Sequence, residues 1–376
     1  MPKTIADCAP GHRVVVTEFG ETPVDAIDHF VRIEDQRPPD PSSLDPRDVI
    51  VAVESAAVGW VDLLMTSGQY QHMASPPYTP GLEYSGVVVW TGAEATGVAV
   101  GDRVIADGSL TGPRSKGAYQ RWGGFASYAV APAQALLPLA STLSFDQGCN
   151  LLGNYETAYH CLITRGALKA DETVLIHGAS GSTGLAAVHV AKLVGAEVIA
   201  TGRSRDKLAQ VAAQGADHVV CTDSSAEGAP LSLRDSIKEL TEGRGVDVVY
   251  DAVGGPISAE SLRCVKFGAR FLIVGWAATP FVARGKGQRG APNANVLPTN
   301  LIMMKGVDVL GCPTVISTHR DPSLRAPRLE QLLSWVDGGK LSPCVGGVFP
   351  MSRINDAMRA KWTSRFVGGC VVHPNR

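Results

Sequence analysis

A glycine-rich segment, HGASGSTG at residues 177–184, has the residue types that bind a pyrophosphate. It lies between the apolar run TVLI and the helically spaced apolar run LAAVHVAKLVG. In the pattern G-x-G-x-x-G, the second glycine lets the backbone approach the pyrophosphate and the third lets the helix pack on the strand. Here Ala179, Gly181 and Gly184 occupy the three glycine positions. The segment predicts a dinucleotide site that includes Ser180, Gly181, Ser182, Thr183 and Gly184, and the alternative is a purely structural turn.

The residues after the next apolar run distinguish between two dinucleotides. A site for NAD places Asp or Glu at the end of this strand, where the carboxylate accepts a hydrogen bond from the ribose 2′-hydroxyl. Here VIAT is followed by GRSRDK, which contains Arg203, Ser204, Arg205 and Lys207. Cations attract a 2′-phosphate that a carboxylate would repel, so the segment favours NADPH. Alternatively these charges only solvate the start of the next helix, and Asp206 among them leaves that alternative open.

Both segments belong to a part of the chain in which strands and helices alternate. Apolar residues at helical spacing begin near Ser144, and six apolar runs with strand character follow: TVLI, VIAT, HVVCT, VDVVYDAV, RFLIVG and VDVLGC. Nearly all-apolar strands that alternate with helices indicate a parallel sheet covered on both faces. We predict an α/β fold with a six-stranded parallel Rossmann domain at residues 151–312.

The rest of the chain is rich in short strands and turns. From Arg13 to about Ala140, runs such as VVVTEF, GVVVW and ASYAVAP alternate with Pro- and Gly-rich turns, which is typical of a small barrel or sandwich. The C-terminal run GGCVVHP reads as a strand that needs a sheet to join, and the first domain could offer an edge. We therefore predict that residues 1–150 and 313–376 form one β-rich domain.

Composition excludes several classes of function. The 376 residues have a formal net charge of −2, which gives no cationic field to attract a nucleic acid. The eight cysteines are scattered without a CxxC pair, as in proteins that keep their thiols reduced in the cytosol. The start MPKTIADCAPGHR lacks the apolar region of an export signal, and no apolar run is long enough to span a membrane. We expect a cytoplasmic protein that binds neither nucleic acid nor membrane.

Taken together, these features resemble the medium-chain dehydrogenase/reductase superfamily, and within it the quinone oxidoreductase-like branch that also contains enoyl reductases. The similarity covers nearly the whole chain and rests on the runs PGLEYSGVV, GDRVIA, GGFASYAVAP, NYETAYHCL, VLIHGASGSTGLAAVHVAK, GADHVV, GVDVVYDAVGG, NLIMMKGVDVLG and GKLSPCVGGVFP. The resemblance implies a GroES-like catalytic domain, a six-stranded Rossmann domain and a cleft between them. It also implies a homodimer formed through the sixth Rossmann strand, VDVLGC.

The positions that hold catalytic zinc in alcohol dehydrogenases of this superfamily carry other residues here. Those enzymes have a Cys near the start of the segment that corresponds to GWVDLL, and a His-Glu pair in the loop that corresponds to PGLEYSG. Trp60 stands at the position of the Cys and Leu82 at that of the His, and neither side chain coordinates Zn²⁺. We expect no metal, and we expect Glu83 to be a structural acid that bonds backbone or a basic residue.

The predicted chemistry follows from these substitutions. Without a metal, oxidation of an alcohol loses its usual route to an alkoxide. Reduction of a conjugated C=C bond requires less, because the carbonyl spreads charge as an enolate that one or two donors stabilise. We predict an NADPH-dependent reductase of an enone, enal or enoyl thioester. The alternatives are an NADPH:quinone oxidoreductase and, outside enzymes, a structural or RNA-binding protein like the zeta-crystallins of this branch.

Two residues, Tyr70 and Trp60, are candidates for the reacting end of the site. Tyr70 lies eight residues after Asp62, a spacing that matches the tyrosine that enoyl reductases of the family place beside the substrate carbonyl. A phenol is a neutral donor at pH 7 and suits a developing enolate oxygen, although a loop tyrosine can also bond only backbone. Trp60 is expected either to form a wall of the substrate pocket or to be an ordinary core residue. Asp62 is expected to bond backbone in its turn.

Other residues are expected near the nicotinamide. Asn154 and Thr157 begin the helix that enters the Rossmann domain, which the family places near this ring, although polar residues are also common at helix N-termini. Residues 274–277, with Val274 and Trp276, follow the fifth strand, and ligands of such sheets lie at the carboxyl ends of the strands. Two positions depart from the family pattern: Thr222 replaces a Tyr that contacts the adenosine end, and Gly369 replaces a Lys.

Two basic insertions relative to that branch are candidates for substrate selection. Residues 109–122 bring Arg114, Lys116 and Arg121, and residues 280–296 bring Arg284, Lys286 and Arg289. Such loops at the rim of a cleft could hold an anionic substrate such as a CoA thioester or a carboxylate. The sequence favours the alternative of solvated surface loops. The nine histidines lack metal-ligand spacing, and only His72, after Tyr70, is a candidate near substrate.

Overall fold

A computed structural model describes residues 4–70, 74–115, 117–223, 232–279, 283–285, 288–289 and 295–375. The chain divides into two compact units. The first comprises Met1–Gly153, Ala283–Ala291 and Ser342–Arg376, and the second comprises Asn154–Val282 and Pro292–Leu341. Among the described residues, no helix has the length and apolarity needed to cross a membrane.

In the described part of the chain the strands are, in order, β1 (Gly11–Val16), β2 (Val31–Gln36), β3 (Asp48–Ala57), β4 (Glu83–Thr91), β5 (Arg103–Ala106), β6 (Tyr128–Pro132), β7 (Leu136–Pro138), β8 (Thr173–Ile176), β9 (Glu197–Gly202), β10 (His218–Cys221), β11 (Val246–Asp251), β12 (Val265–Ile273), β13 (Ala283–Gly285), β14 (Gln288–Arg289), β15 (Asp308–Gly311), β16 (Val345–Pro350) and β17 (Gly369–His373).

The α-helices of the same residues are α1 (Pro23–His29), α2 (Trp60–Met65), α3 (Phe145–Gly148), α4 (Leu152–Tyr159), α5 (Ser182–Val194), α6 (Arg205–Ala213), α7 (Leu233–Leu240), α8 (Pro256–Ser261), α9 (Thr299–Lys305), α10 (Thr314–Arg320), α11 (Arg325–Asp337) and α12 (Ile354–Trp362). Helix α4 continues as a π-helix over His160–Arg165. Short 3₁₀ turns occur at Ile5–Asp7, Pro41–Ser43, Gly112–Arg114, Ala133–Ala135, Pro322–Leu324 and Met351–Arg353.

The first unit is built on a mixed sheet of seven strands. Six of them follow the order β16-β17-β3-β4-β5-β7, and β6 also pairs with β3. Strand β3, DVIVAVESAA, is apolar and buried along nearly its whole length because it has neighbours on both sides. The C-terminal strand β17 pairs antiparallel with β3 through Val371 and Ala57. The prediction that the last strand joins the sheet of the first domain is therefore confirmed.

The second unit contains the predicted six-stranded parallel sheet. Its order is β10-β9-β8-β11-β12-β15, and every neighbouring pair is parallel. The order reverses between β8 and β11, which is the arrangement in which parallel α/β sheets bind dinucleotides at the carboxyl ends of the strands. The fold class, a β-rich GroES-like domain with a Rossmann domain, is thus confirmed.

The end of the second unit differs from the predicted boundary. The sequence assigned residues 313–376 to the first domain, whereas the structure places the chain up to Leu341 in the second unit. A buried ion-pair network explains the difference. The Glu156 carboxylate of α4 accepts hydrogen bonds from Arg325 Nη2 at 2.7 Å and from Arg328 Nη2 at 2.8 Å. Because Arg328 is only 2% exposed, α11 is held against α4 within the second unit.

Candidate active site

The glycine-rich segment forms a turn between β8 and α5, as its sequence context predicted. Strand β8 ends at Ile176, and α5 begins at Ser182 with Gly181 as its N-cap residue. The backbone of Gly178 has a φ of +67°, a conformation that favours glycine. Gly178 supplies the tight turn, so the glycine expected at position 179 is present one residue earlier. This role of Gly178 was not predicted, although a glycine directly after a buried strand is a usable signal.

Gly184 has the packing role that the motif assigns to its third glycine. A Cβ atom at this position would lie 2.2 Å from the carbonyl oxygen of Gly178 and 2.9 Å from the Cα of Ala179. The first turn of α5 can therefore pack against the backbone of Gly178 and Ala179 only because residue 184 has no side chain. The backbone N–H groups at the start of this 13-residue helix lack intrahelical acceptors, and the helix dipole favours an anion there. The segment fits a pyrophosphate.

The basic residues after β9 lie at the start of α6. Ser204 is the N-cap residue of this helix, and its hydroxyl accepts a hydrogen bond from the Lys207 backbone N–H at 3.4 Å. Burial lowers the pKa of Lys207, and the positive charge of Arg203 lowers it further. Arg203 itself forms no ion pair with the described residues. Arg203 and Lys207 are thus two cations that repel each other just after β9, and this arrangement fits the 2′-phosphate of NADPH.

Asn154 and Thr183 are brought together within the second unit. The Thr183 hydroxyl donates a hydrogen bond to the Asn154 side-chain oxygen at 3.1 Å. The start of α4 is therefore tied to the start of α5, beside the glycine turn. Thr157 lies on α4 three residues beyond Asn154 and is partly buried.

Residues 274–277 follow β12 at the carboxyl edge of the parallel sheet. The Val274 N–H donates to the carbonyl of Asp251 at 2.9 Å, and the Ala277 N–H donates to that of Ala252 at 3.2 Å. These bonds hold the segment against the end of β11. Trp276 remains 44% exposed, so its indole is available at the edge where parallel α/β sheets bind ligands.

In the first unit, Asp62 holds the loop that corresponds to the metal-binding loop of zinc alcohol dehydrogenases. Its Oδ1 atom accepts hydrogen bonds from the N–H groups of Gly81 and Leu82, both at 3.0 Å, and its Oδ2 atom accepts from Gly59 N–H at 3.0 Å. Burial raises the pKa of the Asp62 carboxyl to about 6, while these three donors and the charge of Arg114 act in the opposite direction. The predicted backbone-bonding role of Asp62 is confirmed.

Trp60 and Leu82 pack as apolar residues. Leu82 is 4% exposed and belongs to the core of the first unit. The Trp60 indole stacks on that of Trp362, with ring centroids 4.8 Å apart and 3° between the ring planes. No group of three or more His, Cys, Asp or Glu residues in the described ranges is arranged to hold a metal ion. The chemistry of both side chains excludes them as zinc ligands.

Tyr70 lies beside a basic residue of the first insertion. The Nη2 atom of Arg114 donates a hydrogen bond to the Tyr70 hydroxyl oxygen at 3.2 Å, and the guanidinium carbon lies 5.5 Å from the centre of the phenol ring. Both residues were candidates, but the sequence does not connect them, because 44 positions separate them. Such a donor polarises the O–H bond of the phenol and strengthens it as a hydrogen-bond donor.

Glu83 begins β4 and is a structural acid. Its Oε1 atom accepts a hydrogen bond from the Gly153 N–H at 2.5 Å, which confirms that it bonds backbone. Burial lowers the pKa of Lys361, while the neighbouring Cys370, Asp62 and Glu83 act in the opposite direction. Lys361 thus supplies a cation close to the two acids.

The family lysine missing at Gly369 has a steric explanation. A Cβ at this position would lie 2.3 Å from the side-chain oxygen of Asn150, so a longer side chain fits only if Asn150 moves. At the other departure, the Thr222 hydroxyl donates to the carbonyl of Gly202 at the end of β9, at 3.2 Å. His72 and Lys116 lie outside the described residues, as do Lys286 and the side chains of Arg284 and Arg289.

Comparisons with known proteins identify the families to which the two parts of the chain are similar. Residues 45–141 match the alcohol dehydrogenase GroES-like domain family, and residues 182–323 match the zinc-binding dehydrogenase family. The chain is 31% identical over 333 residues to a quinone oxidoreductase-like protein 2 homolog of Nematostella vectensis, covering 88% of this chain and 83% of that protein.

Two solved structures are similar over nearly their whole length. A probable oxidoreductase from Mycobacterium abscessus has a TM-score of 0.77 at 26% identity, with 97% of this chain and 99% of that one covered. The quinone oxidoreductase of Thermus thermophilus, also solved in complex with NADPH, has a TM-score of 0.70 at 25% identity, with 96% and 99% covered.

Proposed function

Because this chain belongs to the quinone oxidoreductase-like branch of the medium-chain dehydrogenase/reductase superfamily, we propose that it is an NADPH-dependent, zinc-independent oxidoreductase. Its proposed substrate is a conjugated carbonyl compound, either an enone, an enal or an enoyl thioester, whose C=C bond it reduces. The second candidate is reduction of a quinone, which the names of several relatives support.

The residues of the second unit that would hold the cofactor fit NADPH. Gly178, Gly181 and Gly184 leave the turn open to the pyrophosphate, and the start of α5 provides backbone donors. Arg203 and Lys207 provide positive charge for the 2′-phosphate. Asn154, Thr157, Val274 and Trp276 are the proposed neighbours of the nicotinamide. When bound, NADPH supplies the hydride that reduces the substrate.

The observation that carries the proposal is the packing of Leu82 and Trp60. One is buried in the core and the other is stacked on Trp362, so neither position offers a ligand to a Lewis acid. Oxidation of an alcohol would need another way to stabilise an alkoxide. A conjugated carbonyl carries its own electron sink, and a hydrogen-bond donor at the carbonyl oxygen is sufficient help.

Tyr70 is the proposed donor. Its hydroxyl bonds to the carbonyl oxygen of the substrate and stabilises the charge that develops there as hydride reaches the β-carbon. Arg114 keeps a positive charge at the phenol oxygen, at 3.2 Å, and so favours this role. The enolate then takes up a proton to give the saturated carbonyl compound.

Quinone reduction is supported by a different observation. The indoles of Trp60 and Trp362 stack in parallel in the first unit and are only partly buried, and aromatic side chains of this kind suit flat aromatic ligands. A quinone needs the same donor at a carbonyl oxygen, so the two candidate reactions share Tyr70.

We also propose a homodimer. It is formed through β15, an outer strand of the parallel sheet.

The experiment is NADPH consumption by metal-free protein with a panel of enones, enals, enoyl thioesters and quinones, and with NADH and EDTA as controls. Turnover of conjugated C=C substrates that resists EDTA supports the proposal, whereas turnover of quinones alone selects the second candidate. Loss of activity on chelation, restored by Zn²⁺, would refute zinc independence. Tight RNA binding without any turnover would instead support a non-enzymatic role.

A further inference from the structure

The first basic insertion is anchored to the core of the first unit. The Tyr119 hydroxyl donates to the Asp48 carboxylate at 2.6 Å, and the Thr111 hydroxyl donates to the Asp107 carbonyl at 3.1 Å. Thr111, Gly112 and Pro113 are buried. The buried residues 111–113 therefore fix the next residue, Arg114, and the expectation of a solvated loop is wrong for them, whereas Gly117, Ala118 and Arg121 are exposed as expected.

Arg114 is held beside Tyr70 with donors left over. Its Nη2 atom bonds the phenol oxygen at 3.2 Å. The Nε atom is buried without a hydrogen-bond partner, and the Nη1 atom forms no hydrogen bond to the described residues. A guanidinium carries five N–H donors in a planar fork, so this one retains capacity for a further acceptor.

The charge of Arg114 is not neutralised by an adjacent acid. Within the described residues, Arg114 forms no ion pair with a carboxylate. The acid that responds to its charge is Asp62, whose two oxygens already accept three backbone N–H groups. A partly buried cation without a counter-ion costs free energy unless an anion binds it. The substrate can provide that anion.

We propose that Arg114 determines substrate specificity by binding a carboxylate carried by the conjugated carbonyl substrate. This inference rests on the proposed function, because it takes Tyr70 as the residue beside the substrate carbonyl. One planar fork matches one carboxylate in a bidentate arrangement, with the Nη1 and Nη2 donors at its end. The substrate class is then an acidic enone, enal or quinone, with its acid group next to the carbonyl that Tyr70 binds.

The test uses acid and ester pairs in which one member carries the negative charge next to the carbonyl and the other does not. These are a 2-oxo-3-enoate and its methyl ester, and a 1,4-naphthoquinone-2-carboxylate and its methyl ester. The wild-type protein should prefer each acid, measured as the ratio of kcat/KM for acid to ester. Arg114→Gln should lower this ratio by about tenfold or more, because it removes a charge-assisted bond. Arg114→Lys, which keeps the charge but not the fork, should lower it less.

Arg121→Gln is the matched control, because it removes the same charge from the same insertion. Arg121 is exposed and lies over the ring of Trp122, at 5.0 Å from its centre. Its substitution should leave the ratio unchanged. An unchanged ratio in Arg114→Gln would overturn the inference, even if both activities fell, because Arg114 would then act through Tyr70 alone. If Arg114→Gln does not fold, an unchanged ratio in Arg114→Lys overturns it.

Failure of the proposed function gives a different result. In that case the wild-type protein turns over neither member of a pair, and calorimetric binding of acid and ester decides the inference. Tighter binding of the acid by the wild type, lost in Arg114→Gln, supports carboxylate recognition without catalysis. Equal binding of acid and ester by the wild type overturns it.

Discussion

The indoles of Trp60 and Trp362 lie parallel, with ring centroids 4.8 Å apart, although one begins α2 and the other ends α12 near the C-terminus. The C-terminal segment thus completes the packing around a position that carries a zinc ligand in related alcohol dehydrogenases. An aromatic pair occupies this place in the present chain.

The stacked pair predicts energetic coupling between the two residues. In a double-mutant cycle, Trp60→Leu and Trp362→Leu should show an interaction free energy of about 0.5–1.5 kcal/mol in unfolding experiments, because each substitution removes the same ring contact. The control cycle combines Trp60→Leu with Trp90→Leu, since Trp90 packs against a different core cluster. Additive losses in the first cycle, as expected in the second, would contradict the coupling.

Asp62 predicts a dependence of stability on pH. Burial raises the pKa of its carboxyl from 3.8 to about 6, so the folded state binds the proton more tightly than the unfolded state. The resulting stabilisation is complete below about pH 4 and is lost as the pH rises through about 6, a change of about 3 kcal/mol. Denaturant unfolding of the wild type and of Asp62→Asn, compared at several pH values, measures it.

The variant Asp62→Asn is the control, because it lacks the titrating carboxyl group. The difference in free energy of unfolding between the wild type and Asp62→Asn should shrink from pH 4.5 to pH 7.5, because only the wild type has the titrating group. Asp62→Asn should be the less stable protein at pH 4.5, since an amide cannot accept all three backbone hydrogen bonds. Parallel pH profiles for the two proteins would show that Asp62 does not titrate in this range.

Arg203 and Lys207 predict the choice of cofactor. The double substitution Arg203→Ala with Lys207→Ala should weaken NADPH about 10- to 100-fold and leave NADH nearly unchanged, because only NADPH has the 2′-phosphate. Equilibrium binding of both cofactors gives the ratio. Arg234→Ala, an exposed arginine on α7, controls for the loss of general positive charge. A ratio that stays constant in the double variant would refute the assignment.

The two glycines at the start of α5 should respond differently to alanine. In Gly184→Ala the new Cβ would meet the Gly178 carbonyl oxygen at 2.2 Å, so the turn must move and the unfolding temperature should fall by several degrees. In Gly181→Ala the distance to the same oxygen is 3.3 Å, which a shift of a few tenths of an ångström relieves, so the loss of stability should be smaller. This variant should nevertheless bind NADPH more weakly, since the methyl group faces the pyrophosphate.

Thermal unfolding and NADPH titration of both variants separate the two effects. Similar losses of stability in Gly181→Ala and Gly184→Ala would mean that the two positions do not divide packing from cofactor approach. A Gly181→Ala protein that binds NADPH like the wild type would mean that the pyrophosphate does not lie on this turn.

Much of the architecture could be predicted because its signals are local. The apolar strands and the glycine turn lie within short segments, and their period and spacing reflect the parallel sheet directly. The end of the second unit could not be predicted in the same way. It depends on Arg325 and Arg328 reaching Glu156, and a charged helix on its own does not reveal which acid it will pair with.

By itself, the sequence determined the fold class, the position of the glycine turn and the loss of zinc ligands at Trp60 and Leu82, because each depends on residue type and neighbouring spacing. Only the tertiary structure decided that Arg114 bonds Tyr70, that Trp362 covers Trp60 and that Lys361 supplies a cation near Glu83. These contacts join elements far apart in the chain. Side chains at such separations meet only when the whole sheet and its helices have packed.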